Sequence, residues 1–245
     1  MAGRAAGLAG LLLGASLALA ATRPAPGLGA DCPAAAAGLV EHFIAADCLA
    51  CWQSAAPAPG RQRTPGAEPP GATEWSLDWI VAAADDAPMA PGALAEAADR
   101  LARLGPHLGA RLQSPPGAFD TITALAPTPS GRRFYVHSGL PYNGYVGVQM
   151  HASGAWPAGS SGWIALVEQV PEGTRGSPLA RRLVRVLVGP LALPAAAGAR
   201  HAVAPLFGLR WPANAHAERL LATAWVEGPD GRILQIATDR CVDPR

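Results

Sequence analysis

The stretch Leu39–Trp52, LVEHFIAADCLACW, decides how the chain is read. Its first half, Leu39 to Ile44, holds Val40, Phe43 and Ile44 in loose alternation and reads as a β-strand. Cys48-Leu49-Ala50-Cys51 follows at once, and Trp52 and Gln53 can continue as a short helix. A CxxC between a strand and a helix is a dithiol exchange geometry. Helix N–H groups favour a thiolate at Cys48, and Cys51, one turn on, is placed to resolve a mixed disulfide. Asp47 works against this, because a neighbouring carboxylate raises a thiol pKa. The same four residues could instead be half of a metal site or a structural bond, so the rest of the chain has to discriminate.

The N-terminus speaks to compartment. Met1-Ala2-Gly3-Arg4 carries one arginine, an uncharged run of Ala, Leu and Gly extends from Ala5 to Ala20, and Ala18-Leu19-Ala20 supplies small residues for a signal peptidase. Residues 1–21 are therefore expected to be a signal peptide. The run falls short of the roughly 20 apolar residues of a membrane span. The expected mature protein is periplasmic or secreted and does not span a membrane.

Export implies oxidising conditions, where cysteines pair. There are four, Cys32, Cys48, Cys51 and Cys241, and four allow three pairings. The simplest is Cys48–Cys51 with Cys32–Cys241 as a structural bond. Closing so long a loop could contribute about 4–5 kcal/mol. A zinc ribbon would need a second ligand pair, and only His42 is near. A c-type haem would need His where Trp52 stands. No cofactor or metal is expected.

Composition removes other classes. The 245 residues carry a net charge of +1 without a charged block, which argues against nucleic acid or an anionic membrane as partner. All 19 basic residues are arginine. Without lysine there is no Schiff-base chemistry, no lysine-bearing phosphate loop and no Ser–Lys hydrolase. The six histidines form no HExxH, and Gly159-Ser160-Ser161-Gly162 reads as a loop rather than a nucleophile elbow. Asp85-Asp86 before Pro88 reads as a solvated turn.

Further along, Pro57–Ala72 is a Pro- and Gly-rich loop, Trp75–Ala83 a second strand, and Pro91–Leu104 an amphipathic helix ending at Gly105. From about Arg133 the texture becomes short β-like runs: RFYVHSG, YVGVQM, GWIALVEQV, RRLVRVLVG, HAVAPLFGL and RLLATAWVEG; SPLARRLVRVLVGPL could instead be helical, but the alternation of Val184, Val186 and Val188 favours a strand. Glu227–Arg232 joins Trp225-Val226 to Ile233-Leu234 as a hairpin. Strands at this spacing suggest an antiparallel β-sandwich. Asn143-Gly144 between Tyr142 and Tyr145 is a turn that could display the two rings as a recognition edge. Trp156, Trp163, Trp211 and Trp225 are expected to cover the sheets.

LVEHFIAADCLACW resembles the opening of an exported bacterial thioredoxin-like family, known as domain of unknown function 1223, whose members begin with a strand of the form V-V-E-L-F-T, a turn and a CxxC. Weaker echoes are WSLDWIVAAADDAPM, GWIALVEQV with GSPLARRLVRVL, and the closing strand DGRILQIA, Asp230–Ala237. Trp52 replaces the family's proline after the second cysteine. The resemblance implies a thioredoxin-like α/β part over 31–130 followed by a β-sandwich-like part over 131–245. It also implies a cis-proline facing the CxxC, for which Pro127, Pro129 and Pro141 are candidates. The expected function is thiol–disulfide exchange at Cys48 and Cys51, with exported protein thiols or a redox partner protein as substrate. The rival is a non-catalytic binding protein whose disulfides are both structural. A Cu(I)-handling role is a third option, weakened by the lack of a nearby Met or His cluster.

Overall fold

The structure, a computed structural model, describes residues 38–55, 61–63, 74–113, 117–125, 132–193, 202–203 and 206–239. Residues 1–21, expected to be a signal peptide, Cys32, Cys241, most of the Pro57–Ala72 loop, Pro127 and Pro129 lie outside them.

The fold is mixed α/β, dominated by strands in two sheets. Four strands precede residue 131: β1 (Gly38–Ala45), β2 (Arg61–Arg63), β3 (Glu74–Val81) and β4 (Ala118–Ala124). Three helices lie among them: α1 (Leu49–Trp52), α2 (Ala95–Leu104) and α3 (Leu108–Leu112). Eight strands follow: β5 (Arg133–Ser138), β6 (Tyr145–Ser153), β7 (Ser161–Val170), β8 (Arg181–Ala192), β9 (Ala202–Val203), β10 (Phe207–Arg210), β11 (Leu220–Glu227) and β12 (Ile233–Thr238).

The larger sheet has eight strands in the order β12-β11-β7-β8-β3-β1-β4-β2. β1 is third from one edge, parallel to β3 and antiparallel to β4. Covered on both faces, β1 buries seven of its eight residues, including Glu41, whose charge is met by an arginine from α2. The one registered pair between β3 and β8, Asp78 with Leu183, joins the strands before residue 131 to those after it. The sheet therefore runs across the boundary drawn from sequence texture.

The smaller sheet has β6 at its centre, flanked by β5 on one side and by β10 and β9 on the other. It packs on the larger sheet through Val146, Val148 and Met150 against Ile164, Leu166 and Ala222. Five of the six β-like runs fall on one strand each, the described residues of HAVAPLFGL fall mainly on two, β9 and β10, and β11 and β12 form the expected hairpin. Trp156, Trp163 and Trp225 are buried, and Trp211 is partly so.

Helices α2 and α3 cover the opposite face of the larger sheet, where Ala97, Leu101, Leu108 and Leu112 meet Phe43, Trp79 and Trp225. The α2 helix starts at Ala95, not at Pro91. A 3-10 turn occupies Ala90–Gly92, and Leu94 is extended, donating its N–H to the Ile80 carbonyl at 3.0 Å in a bridge at the end of β3. That bridge delays the first helical residue. α3 was not evident in the sequence, because five residues are too few to establish a helical period.

One buried arginine fastens α2 across the sheet. Arg100 Nε and Nη2 donate to the two carboxylate oxygens of Glu41 on β1 at 2.9 and 2.8 Å, and Nη1 donates to Glu227 on β11 at 2.6 Å. Its guanidinium lies over the stacked rings of Trp163 and Trp225. Burial alone would lower its pKa, but the two glutamates outweigh that and raise it further, so the charge is permanent. No helix among the described residues is long and apolar enough to cross a membrane.

Candidate functional site

β1 delivers the cysteines to the edge of the core. The Ala46 N–H bonds the Val81 carbonyl at 2.9 Å, which holds the exit from β1 against β3, and the Cys48 N–H bonds the Ala45 carbonyl. Cys48 is the N-cap of α1 and has no side-chain cap. The N–H groups of Cys51 and Trp52 return to the Cys48 carbonyl. This one-turn geometry brings Cys48 and Cys51 together in a disulfide, with Cα atoms 5.3 Å apart.

Both cysteines are half-buried, whereas Asp47, Leu49 and Ala50 are exposed. Cys48 packs on the core beneath α2 and α3, and Cys51 on the small core of Ile44, Trp52, Ile80 and Leu183 across the sheet. The bond thus straddles the end of the sheet. A groove of about 780 Å³ opens beside it, lined by Asp47, Cys48, Ala50, Val81, Leu101 and Leu112 among others. Its walls are mostly alanine and larger aliphatic groups, with the Asp47 carboxylate on the lip.

Gly117 faces the disulfide from the start of β4. Its carbonyl accepts the Ala45 N–H at 2.8 Å, and its φ is +72°. A Cβ at this position would lie 3.0 Å from Cys48 Cβ and 3.4 Å from its Sγ. Only glycine permits both the conformation and the approach. In the sequence Pro115-Pro116 comes immediately before it. Of the cis-proline candidates only Pro141 is described; it is not cis, and it precedes the Tyr142–Tyr145 turn on the smaller sheet. The cis bond among the described residues is Gly189–Pro190 in β8, beside Trp163.

The β7–β8 connection holds α1 from behind. Trp52 Nε1 donates to the Arg175 carbonyl at 2.8 Å. Arg181, at the start of β8, donates from Nη2 to the carbonyls of Trp52 and Ser54 at 2.8 and 3.3 Å. Its Nη1 pairs with Asp78 on β3 at 3.0 Å, its Nε donates to Ser177, and its guanidinium lies 4.7 Å from the Trp52 ring centre. The Asp78 carboxylate also accepts the Arg182 backbone N–H at 2.8 Å. Trp52 is thus fixed by a segment more than 120 positions away. Sequence reading missed this arginine because Arg181-Arg182 looks like any basic pair at the start of a strand.

The same face carries His42, whose Nδ1 pairs with buried Asp120 at 2.7 Å. Burial lowers the His42 pKa, but the Asp120 hydrogen bond and the nearby Asp78 carboxylate outweigh it, so the net shift is upward. His42 is engaged by this carboxylate and not by the cysteines. Among the described residues no group of three or more His, Cys, Asp or Glu side chains is arranged to hold a metal ion. Asp85-Asp86 forms an exposed turn. Ser160 is buried, and Ser161 begins β7. The Tyr142–Tyr145 turn closes through reciprocal backbone bonds of 2.8 and 2.9 Å, with Asn143 and Gly144 at positive φ. It lies on the smaller sheet, away from the cysteines.

The chain matches no protein-family model, no curated protein and no solved structure.

Proposed function

We propose that this chain is an exported thiol–disulfide oxidoreductase of thioredoxin-like type, acting through Cys48 and Cys51. The observation that carries the reading is the half-exposed Cys48–Cys51 bond at the end of β1, beside an apolar groove and within contact of Gly117. Apart from the three-residue edge strand β2, the order strand, CxxC turn, parallel strand, helices and antiparallel strand supports a thioredoxin-like arrangement, as does the sequence Pro115-Pro116 just before Gly117. Residues 1–21 support export into an oxidising compartment, where exported protein thiols or a redox partner protein would be the substrate.

In the oxidising direction a substrate thiolate attacks Cys48 Sγ. The Cys48–Cys51 bond breaks, and Cys51 leaves as a thiolate. A second substrate thiolate then attacks the substrate sulfur of the mixed disulfide and expels the Cys48 thiolate. The substrate loses two electrons and the protein gains them. The reducing direction is the reverse, with Cys48 attacking and Cys51 resolving. The mature chain with Cys51→Ser should retain the fold and accumulate a mixed disulfide through Cys48 when exposed to exported proteins bearing disulfides. A folded Cys51→Ser protein that captures none refutes the proposal.

The rival reading, a binding protein with a structural Cys48–Cys51 bond, draws on a different observation. The α1 turn is tied by Arg175 and Arg181 to the β7–β8 connection, which would suit a fixed staple. The two readings part on how easily the bond is reduced in the folded protein.

A further inference from the structure

The outer face of the smaller sheet has a composition that the thiol chemistry does not use. Five of the seven large hydrophobic residues exposed among the described residues belong to this sheet or its connections: Tyr135, Leu140, Tyr142, Tyr145 and Leu206. Monomeric proteins seldom concentrate exposed apolar surface in this way without a ligand. Strand alternation turns Arg133, Tyr135 and His137 of β5 outward, with Tyr145, Gly147, Gln149, His151 and Ser153 of β6. Gly208 and Arg210 of β10 extend the face beside Tyr145 and Gly147, and β9 pairs beside His151. None of these outward positions is Asp or Glu.

The register arranges these groups as a strip. Tyr145 lies opposite Arg210, Gly147 opposite Gly208, Gln149 opposite His137, His151 opposite Tyr135, and Ser153 opposite Arg133. Gly208 has open space above it, and the exposed Leu206 side chain packs against Gly147, 3.4 Å from where a Cβ would stand. The rings of Tyr135 and His151 stack at 4.3 Å and 13°. Arg133 and Arg210 mark the two ends, separated along β6 by eight residues, or about 27 Å at the usual strand rise.

We infer that this face binds an acidic polysaccharide, a chain of uronic acid units lying along β6. Tyrosine rings offer apolar faces to the C–H faces of sugars while their hydroxyls remain wet. Gln149, His137 and His151 supply donors and acceptors for hydroxyl groups. The arginines at the two ends suit carboxylates, which guanidinium groups bind in bidentate fashion. The absence of outward carboxylates supplies the charge complementarity. An acidic peptide is the less favoured occupant: extended peptides gain most from pairing with a free strand edge, and β6 is paired on both sides. The inference does not rest on the redox proposal.

The test is calorimetric titration of the full mature chain with an oligogalacturonate long enough to span the face. A neutral dextran oligomer and poly-L-glutamate serve as comparison probes. The oligogalacturonate should bind, more weakly as salt rises, and better than either comparison probe. Tyr145→Ala and Arg210→Gln, both at exposed positions, should each weaken it about tenfold, equivalent to 1.4 kcal/mol, with unchanged circular dichroism. No binding, equal or tighter binding of poly-L-glutamate, or indifference to both substitutions would overturn the inference. Arg133→Gln at the far end provides a second variant with the same expected loss should either of the first two fail to fold.

Discussion

Replacing Arg181 with methionine should loosen the CxxC turn and destabilise the whole protein. Methionine keeps an unbranched stem over Trp52 but removes every donor. Arg181 and Asp78 side chains are 8 % and 4 % exposed, so the pair is essentially buried. Removing one member of a buried pair costs about 3–5 kcal/mol, because the other charge is left without its partner. Asp78 retains the Arg182 backbone N–H, which places the expected loss at the low end, about 3 kcal/mol. With a urea slope of about 2–3 kcal/mol per molar, the midpoint should fall by about 1–1.5 M. A double-mutant cycle with Asp78→Asn separates charge from packing. The double variant should be more stable than Arg181→Met alone, since the stranded carboxylate is gone. The turn itself also loses the bonds to the Trp52 and Ser54 carbonyls. The rate at which dithiothreitol reduces Cys48–Cys51 should therefore rise in Arg181→Met at urea concentrations where both proteins are folded. A loss below about 1 kcal/mol, or strict additivity in the cycle, would refute the reasoning about the buried pair.

Three further outcomes follow from neighbouring features. Arg100→Met should cost about 3–5 kcal/mol in chemical denaturation, because Glu41 remains wholly buried with its charge uncompensated. Gly117→Ala should be destabilising by about 1–3 kcal/mol in the same assay, from positive φ together with the 3.0 Å contact to Cys48 Cβ; a neutral result would mean the approach of β4 to the disulfide is not tight. The His42–Asp120 pair should contribute stability in full below the unfolded histidine pKa of about 6.5 and lose it as pH rises through the higher folded value. The stability difference between wild type and His42→Gln should shrink on going from pH 5.5 to above neutrality, and a difference that grows instead would contradict the upward shift.

Much of the fold was legible because its signals are local. The apolar run before Cys48, the alternating strands after Arg133 and the Asp230-Gly231 hairpin each carry their own period or turn chemistry. What the sequence could not display is set by distant partners. Leu94 has ordinary helical character, and only its bridge to β3 keeps it extended. Arg100 and Arg181 look like solvated bases until Glu41, Glu227 and Asp78 arrive from other strands. Nor does local texture reveal that β3 and β8 pair, because a parallel neighbour more than 100 residues away leaves no trace in either strand. At the site, the disulfide followed from spacing, but the close approach of Gly117 and the hold on Trp52 depend on β4 and β8. Trp52 illustrates this most plainly: its indole is bonded to a carbonyl in the β7–β8 connection.

The central claim is that Cys48–Cys51 is an exchange-competent bond, and its reduction potential tests that directly. Glutathione titration of the folded protein, with thiols counted by mass spectrometry, should give a value between about −120 and −270 mV. A bond that resists reduction until the protein unfolds, with a potential below about −300 mV, would contradict the account and make the CxxC a structural staple.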